Sequence, residues 1–341
     1  MNLADRTRPR MRRMASTLWL LATMVGVLGG GMLSPAAQAQ TFPSKPIRVV
    51  IPFPPGGATD VVGRILGKRL SEELGQQVII DNRAGAGGGL GTQAVAKSDP
   101  DGHTLVFTVA GPITTVPHIN KDIGYKMTDL APVAIVFRSP FLLVVAANSP
   151  FKTLNDLLEK GMPAKGPVAA YGSSGVGALS HLGAEMINAA AGTQFIHVPF
   201  KGTPGTLQAL LSGDIQWALA TGNDAKGNLE AGKLRPLAVM SARRTPLFPQ
   251  VPSVTELGLK DLDLDTWFGL FAPAKIPPAT LDLLAKTVRK ILAEPAFAAR
   301  MQDLGGAVPT DANTPTSIAA HLERESADFL KIVRAVKVKV D

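Results

Sequence analysis

The run IRVVIPF at residues 47–53, followed at once by Pro54-Pro55-Gly56-Gly57 and then by apolar residues four apart, constrains the fold more than any other stretch. A short run rich in β-branched residues, with little alternation of polarity, describes a strand covered on both faces. The Pro-Gly run ends it. Val62, Leu66, Leu70 and Leu74, with Val61 and Ile65 beside them, make one stripe of a helix, and Gly75 stops it. Residues 78–81 and 104–108 read as two more strands, separated by the glycine run at 85–89 and a short helix at 92–97. This β-α-β-α-β order predicts a parallel sheet with helices on its faces.

The pattern then repeats. Strands are predicted at 141–147, 168–171, 195–198, 215–219, 237–240 and 267–271, with helices at 154–159, 179–190 and 206–211. The C-terminal part turns helical, at 281–293, 295–304 and 318–336. A length of 341 residues suits two domains. The strands at 141–147 and 267–271 read as crossings between two lobes, so the first lobe is discontinuous and completed by the C-terminal helices. Two lobes joined in this way can hinge and close on a ligand. The predicted organisation is a leader at 1–39, a first lobe at 40–141 and 267–341, and a second lobe at 142–266.

The formal charge of +8 is misleading, because five arginines and one aspartate fall in residues 1–39. The remainder holds 30 basic against 26 acidic residues without a basic block, so nucleic-acid binding gains no support. The arginine run, the apolar stretch to Leu33 and Ala37-Gln38-Ala39 describe a secretory signal peptide cleaved after Ala39, and hence an exported protein. Cysteine is absent, which excludes disulfides, thiolate metal sites and cysteine nucleophiles. The five histidines show no zinc-ligand spacing, and no metal or cofactor is implied.

Four loops could carry chemistry. The first, residues 53–60, joins a buried strand to a helix at the sheet edge where open α/β folds bind ligands. Its glycines admit a ligand to the backbone, and helix-start N–H groups favour an anion; a structural turn capped by Thr59 or Asp60 is the alternative. The second, Tyr171-Gly172-Ser173-Ser174-Gly175-Val176-Gly177, offers hydroxyls and amides. A serine-hydrolase elbow fails there, since Val176 or Tyr171 stands where glycine is required, although His181 and His197 could be imagined as bases. In the third, Lys201 of residues 200–205 could attract an anion. The fourth, residues 89–94, matches G-x-G-x-x-A, but it does not follow the first strand and lacks the downstream acid of a dinucleotide site. Trp217, Trp267 and Phe268 could line a cleft, with core packing the default for each.

Seven segments taken together resemble the Bug/TctC family, the extracytoplasmic substrate-binding proteins of tripartite tricarboxylate transporters. They are PSKPIRVVIPFPPGGATD at 43–60, QQVIIDNRAGAGGGLGTQAVAKSDPDGHTL at 76–105, YGSSGVGALSHL at 171–182, HVPFKGTPG at 197–205, AGKLRPLAV at 231–239, TPLFPQVPSVTELGL at 245–259 and WFGLFAP at 267–273. The resemblance implies an α/β, two-lobe periplasmic-binding-protein (Venus flytrap) fold, each lobe a mostly parallel sheet flanked by helices. It implies capture of a small organic carboxylate, no catalysis, and delivery to the membrane subunits of a transporter. Presentation of the ligand to a sensor kinase and a secreted serine hydrolase are the alternatives. Carried onto this chain, first-lobe contacts fall on Phe53, Gly56, Gly57, Ala58, Thr59 and Asp60, with Val109 and Ala110 after the third strand. Second-lobe contacts fall on Ser173, Ser174, Gly175, Gly177, His181, Lys201, Gly202 and Thr203, with Ala220 and Thr221.

Two departures from the family pattern matter. Val109-Ala110-Gly111 and Val116-Pro117 stand where small hydroxyl residues and an Asn-Pro pair are usual. Ala220 and Thr221 replace an Asp-Asn pair that can face a ligand amine. With no carboxylate expected near an ammonium, carboxylates with an uncharged body should bind better than amino acids. Val109, Ala110, Val116 and Trp217 are the residues expected around that body.

Overall fold

The computed structural model describes residues 42–163, 166–260, 262–309 and 313–336, so the leader and its cleavage point lie outside the described residues. Among the described residues nine strands form one sheet, with β8 branching from β4: β1 (Ile47–Ile51), β2 (Val78–Asn82), β3 (Thr104–Val109), β4 (Leu130–Ala146), β5 (Ala170–Ser173), β6 (Ile196–Pro199), β7 (Trp217–Thr221), β8 (Leu234–Val239) and β9 (Asp265–Pro273). The helices between these strands are α1 (Ala58–Leu74), α2 (Gly89–Ala96), α3 (Val116–Ile119), α4 (Leu154–Lys160), α5 (Leu179–Ala191), α6 (Thr203–Ser212) and α7 (Gly222–Glu230). The chain closes with α8 (Pro278–Leu292), α9 (Pro295–Asp303) and α10 (Pro315–Val336).

The fold is α/β with two lobes. In the first, the strand order is β2-β1-β3-β9-β4, parallel from β2 to β3 and with β9 antiparallel to both neighbours. In the second it is β6-β5-β7-β4-β8, with β6, β5 and β7 parallel. One long strand joins them. β4 pairs with β9 from Leu130 to Pro140 and with β7 from Phe141 onward. Its second half is the strand predicted at 141–147. The first half was not predicted, because Pro132, Arg138, Ser139 and Pro140 interrupt its apolar pattern.

Burial explains the local structure. Ile47, Val49, Val50 and Ile51 are all buried, as a central parallel strand requires. Val62, Leu66 and Leu70 of α1 are buried against that strand, each worth about 1.5–3 kcal/mol of transfer free energy. Gly63 lets the helix sit close, since a Cβ there would fall 2.7 Å from Ile51 and 2.9 Å from Phe107. Helix α8 adds Leu284, Val288 and Ile291 to the same core. Helix α10 does not belong to the first lobe alone: Ile318, Leu322 and Phe329 share a core with Trp217 and Leu182 of the second. Among the described residues no helix is long and apolar enough to cross a membrane.

Candidate functional site

The β1–α1 loop is folded by Asp60. Its carboxylate accepts hydrogen bonds from Gly56 N–H (3.0 Å), Arg64 Nε (2.9 Å) and Asn82 Nδ2 (3.0 Å), and Asn82 Nδ2 also donates to the Phe53 carbonyl at 3.0 Å. Burial opposes its charge, but these hydrogen bonds prevail and hold the carboxyl below the ordinary aspartate range. Asp60 is therefore engaged behind the loop and does not line the cleft. Gly57 precedes α1 without offering a side-chain cap, which leaves helix-start N–H groups open to other acceptors.

Across from this loop stand the β5–α5 loop and the starts of α6 and α7. The two sides meet through small residues. A Cβ on Gly87 would fall 2.7 Å from the Val176 carbonyl, one on Gly175 would fall 3.0 Å from Gly87 Cα, and one on Gly202 would fall 2.8 Å from Pro54. Gly87 also has φ +60°, a conformation L side chains seldom adopt. Between the two sides lies a cleft with ≈ 540 Å³ of empty space, its mouth included.

Eight of the residues expected at the site line this cleft: Phe53, Gly57, Ala58, Thr59, Val109, Ser174, Thr203 and Thr221. The other ten do not. Gly56 lies on an outer groove, while Lys201 and Gly175 line a separate one beside Gly85–Gly88. Ala110 and Ala220 are buried in the cores. Asp60, Ser173, Gly177 and His181 support the loops from behind, and Gly202 packs against Pro54 where the two sides meet. Of the residues expected around a ligand body, Val109 lines the cleft, whereas Ala110, Val116 and Trp217 are packed into a core. Apolar lining comes instead from Phe141, Leu179, Pro112 and Phe268. Hydroxyls of Ser180 and Thr266 add to it.

Ser173 and Ser174 have different surroundings. Ser173 is fully buried, and its Oγ shares a 2.7 Å hydrogen bond with His197 Nε2. His197 stacks on His181 with ring centroids 3.8 Å apart, and His181 Nδ1 accepts from Gly177 N–H at 3.2 Å. Burial pushes both imidazoles down to about 4, the neighbouring His181 adding to the effect on His197. Ser174 faces the cleft, but its Oγ meets Ser180 Oγ at 3.1 Å. The serine beside a histidine is thus buried, and the serine in the cleft lies against a second serine. The histidine pair underpins the 173–177 loop.

One lining residue was missed. Asp224, in the first turn of α7, accepts Ala58 N–H across the cleft at 2.8 Å and Thr221 Oγ1 at 2.8 Å. Burial pushes its carboxyl upward, against the hydrogen bonds from Ala58, Thr221 and Thr203 that favour the charge. The expectation that an ammonium would find no carboxylate in the cleft therefore loses its premise. Helix α7 carries Gly222, Asn223, Gly227 and Asn228 and buries little, so its apolar pattern gives no helix. The Thr221-x-x-Asp224 spacing was the available signal, an N-cap followed by an acid in the first turn.

A family model described as the tripartite tricarboxylate transporter family receptor, TctC, matches residues 62–329. The BugT protein of Bordetella pertussis is 32% identical over 328 residues, covering 94% of this chain and 98% of its own. A UPF0065 protein of Pseudomonas sp. strain P51 is 32% identical over 299 residues, covering 87% of this chain and 88% of its own. Among solved structures, an R. palustris protein with adipate superposes with a TM-score of 0.82 at 30% identity, covering 87% of this chain and 99% of its own. MatC of Rhodopseudomonas palustris with bound malate gives 0.79 at 29%, covering 86% and 100%. The periplasmic binding protein BugD gives 0.81 at 28%, covering 87% and 99%. With a two-lobe fold, a cleft between its lobes and these relatives along most of its length, the chain belongs to the Bug/TctC family of tripartite tricarboxylate transporter receptors.

Proposed function

We propose that the protein captures a small organic carboxylate in the cleft between its lobes, in the periplasm, and delivers it to the membrane subunits of a tripartite tricarboxylate-type transporter. The observation that carries this reading is the cleft itself: apolar walls, six hydroxyls at Thr59, Ser174, Ser180, Thr203, Thr221 and Thr266, and helix starts directed at it. Backbone N–H groups and hydroxyls receive a carboxylate oxygen without needing a cation. Malate in MatC and adipate in the R. palustris protein support the ligand class. The residues proposed to touch ligand are the eight expected ones that line the cleft, joined by Ser180 and Thr266. The lobes proposed to close on it are 40–141 with 267–341, and 142–266, after removal of a leader at Ala39.

Nothing favours a sensor role over delivery, and the arrangement of Ser173 and Ser174 gives no support to hydrolysis. A thermal-shift screen of organic acids followed by calorimetry tests the reading. At least one carboxylate should bind with micromolar or better affinity, and failure of a broad panel overturns the ligand class.

A further inference from the structure

Helix α1 of the first lobe and helices α6 and α7 of the second begin around one carboxylate, and that carboxylate belongs to the protein. Asp224 accepts Ala58 N–H from the first turn of α1 at 2.8 Å and Thr221 Oγ1, the cap of its own helix, at 2.8 Å. Thr203, the first residue of α6, hydrogen-bonds it as well. Helix starts carry partial positive charge and unpaired N–H groups, so this is where an anion is held most favourably. A side chain already holds it.

We propose that Asp224 is a specificity-determining residue that fills one carboxylate position of the cleft, so that the protein selects monocarboxylates over dicarboxylates of the same length. The proposal rests on the carboxylate reading above. Among the described residues no lysine or arginine lines the cleft, so a second ligand carboxylate beside Asp224 would meet a like charge with no cation to offset it. Close carboxylates in a shared site cannot both ionise freely, so a dicarboxylate enters only if it or Asp224 takes up a proton, which costs it affinity. A single carboxylate is received by the hydroxyls of Ser174, Ser180, Thr59 and Thr266, with its body against Phe141, Leu179 and Phe268.

Calorimetry on the purified protein with the matched pairs butyrate and succinate, and hexanoate and adipate, tests this. The wild type should bind the monocarboxylate of each pair at least tenfold tighter. Asp224→Asn keeps an acceptor for Ala58 N–H and removes the charge, and should shift that preference toward the dicarboxylate at least tenfold. Asp224→Ser also vacates the space and should shift it further; its hydroxyl can still accept in the first turn of α7, so it carries the comparison if Asp224→Asn fails to fold, with thermal melts deciding which variants are native. Equal wild-type affinity within the pairs overturns the proposal, as does a preference unchanged in both variants. Binding of no member by any of the proteins overturns this proposal, and the carboxylate reading falls with it only if the broad panel of acids fails too, whereas tight monocarboxylate binding with an unchanged preference overturns this proposal alone.

Discussion

Replacing Glu325 by glutamine should turn a shallow acid profile into a steep one. Both carboxylate oxygens of Glu325 accept Trp267 Nε1 at 3.0 Å, and burial pushes the carboxyl from 4.5 to about 7. The native protein therefore binds this proton more tightly than the unfolded chain. Acidifying from pH 7.5 to 4.5 relieves the strain of a buried charge and stabilises the fold by about 3 kcal/mol. His181 and His197 act in the opposite sense over nearly the same range. Their native values near 4 lie below the ordinary 6.5, so the unfolded chain takes up these protons first, and stability falls as pH drops from 6.5 toward 4. His181 alone is worth about 3 kcal/mol over that interval, and His197, partly exposed, adds less. In the wild type the gain at Glu325 offsets much of the histidine loss down to pH 4.5. In Glu325→Gln, where the amide oxygen can still accept from Trp267, the histidine effect stands alone, and stability should fall by about 3–5 kcal/mol between pH 7.5 and 4.5. Asp224 and Asp263, also pushed up by burial, contribute equally to both proteins and drop out of the comparison. Urea unfolding at pH 7.5, 6.0 and 4.5, followed by tryptophan fluorescence, measures the difference. Parallel pH profiles for the two proteins would refute the reasoning.

Three further outcomes follow from the cleft and the loop that Asp60 holds behind it. Gly87→Ala should weaken carboxylate binding at least tenfold and enlarge the radius of gyration by small-angle scattering, because a Cβ there would fall 2.7 Å from the Val176 carbonyl; unchanged affinity and size would count against the seam between the lobes. Ser174→Ala should cost about 1 kcal/mol of ligand affinity, roughly fivefold, with a melting temperature within about 2 °C of wild type, since Ser180 Oγ still accepts the residue-174 N–H. Asp60→Ala strips the acceptor from Gly56 N–H, Arg64 and Asn82 and should destabilise the fold by about 2–4 kcal/mol in urea titration; a loss under about 1 kcal/mol would mean the loop holds itself.

Where burial dictates residue type, the sequence could be read. The first strand and α1 were legible because Ile47, Val49 and Ile51, and then Val62, Leu66 and Leu70, repeat at the periods of their elements. Polar and proline-bearing pieces were not. The first half of β4 carries Arg138, Ser139 and Pro140 within a sheet, stabilised by pairing with β9 instead of by its own pattern. Helix α7 is held by its Thr221 cap and by tertiary contact, so no apolar pattern marks the helix that carries Asp224. The same cause divided the site. Loop glycines and serines were recognisable from sequence, yet only the fold separates Ser174 in the cleft from Ser173 against His197. Side chains that line the cleft from strands, such as Phe141 and Thr266, look in sequence like any core position.

The pairing of β4 with a strand more than a hundred residues later also sets an order of assembly. Strands β5 to β8 and the second half of β4 are contiguous in the chain, so the second lobe can complete its sheet once residue 239 has emerged. The first lobe begins earlier and finishes later. Strands β1 to β3 have no neighbour on the β3 side until β9 arrives at residues 265–273, and β3 then pairs with Phe268 to Phe271. Until that moment β3 presents an open edge rich in valine and phenylalanine, the kind of surface that invites pairing with another chain. The strands made first are thus paired after those of the second lobe, and slow release of the chain leaves that edge exposed for as long as the second lobe takes to be made.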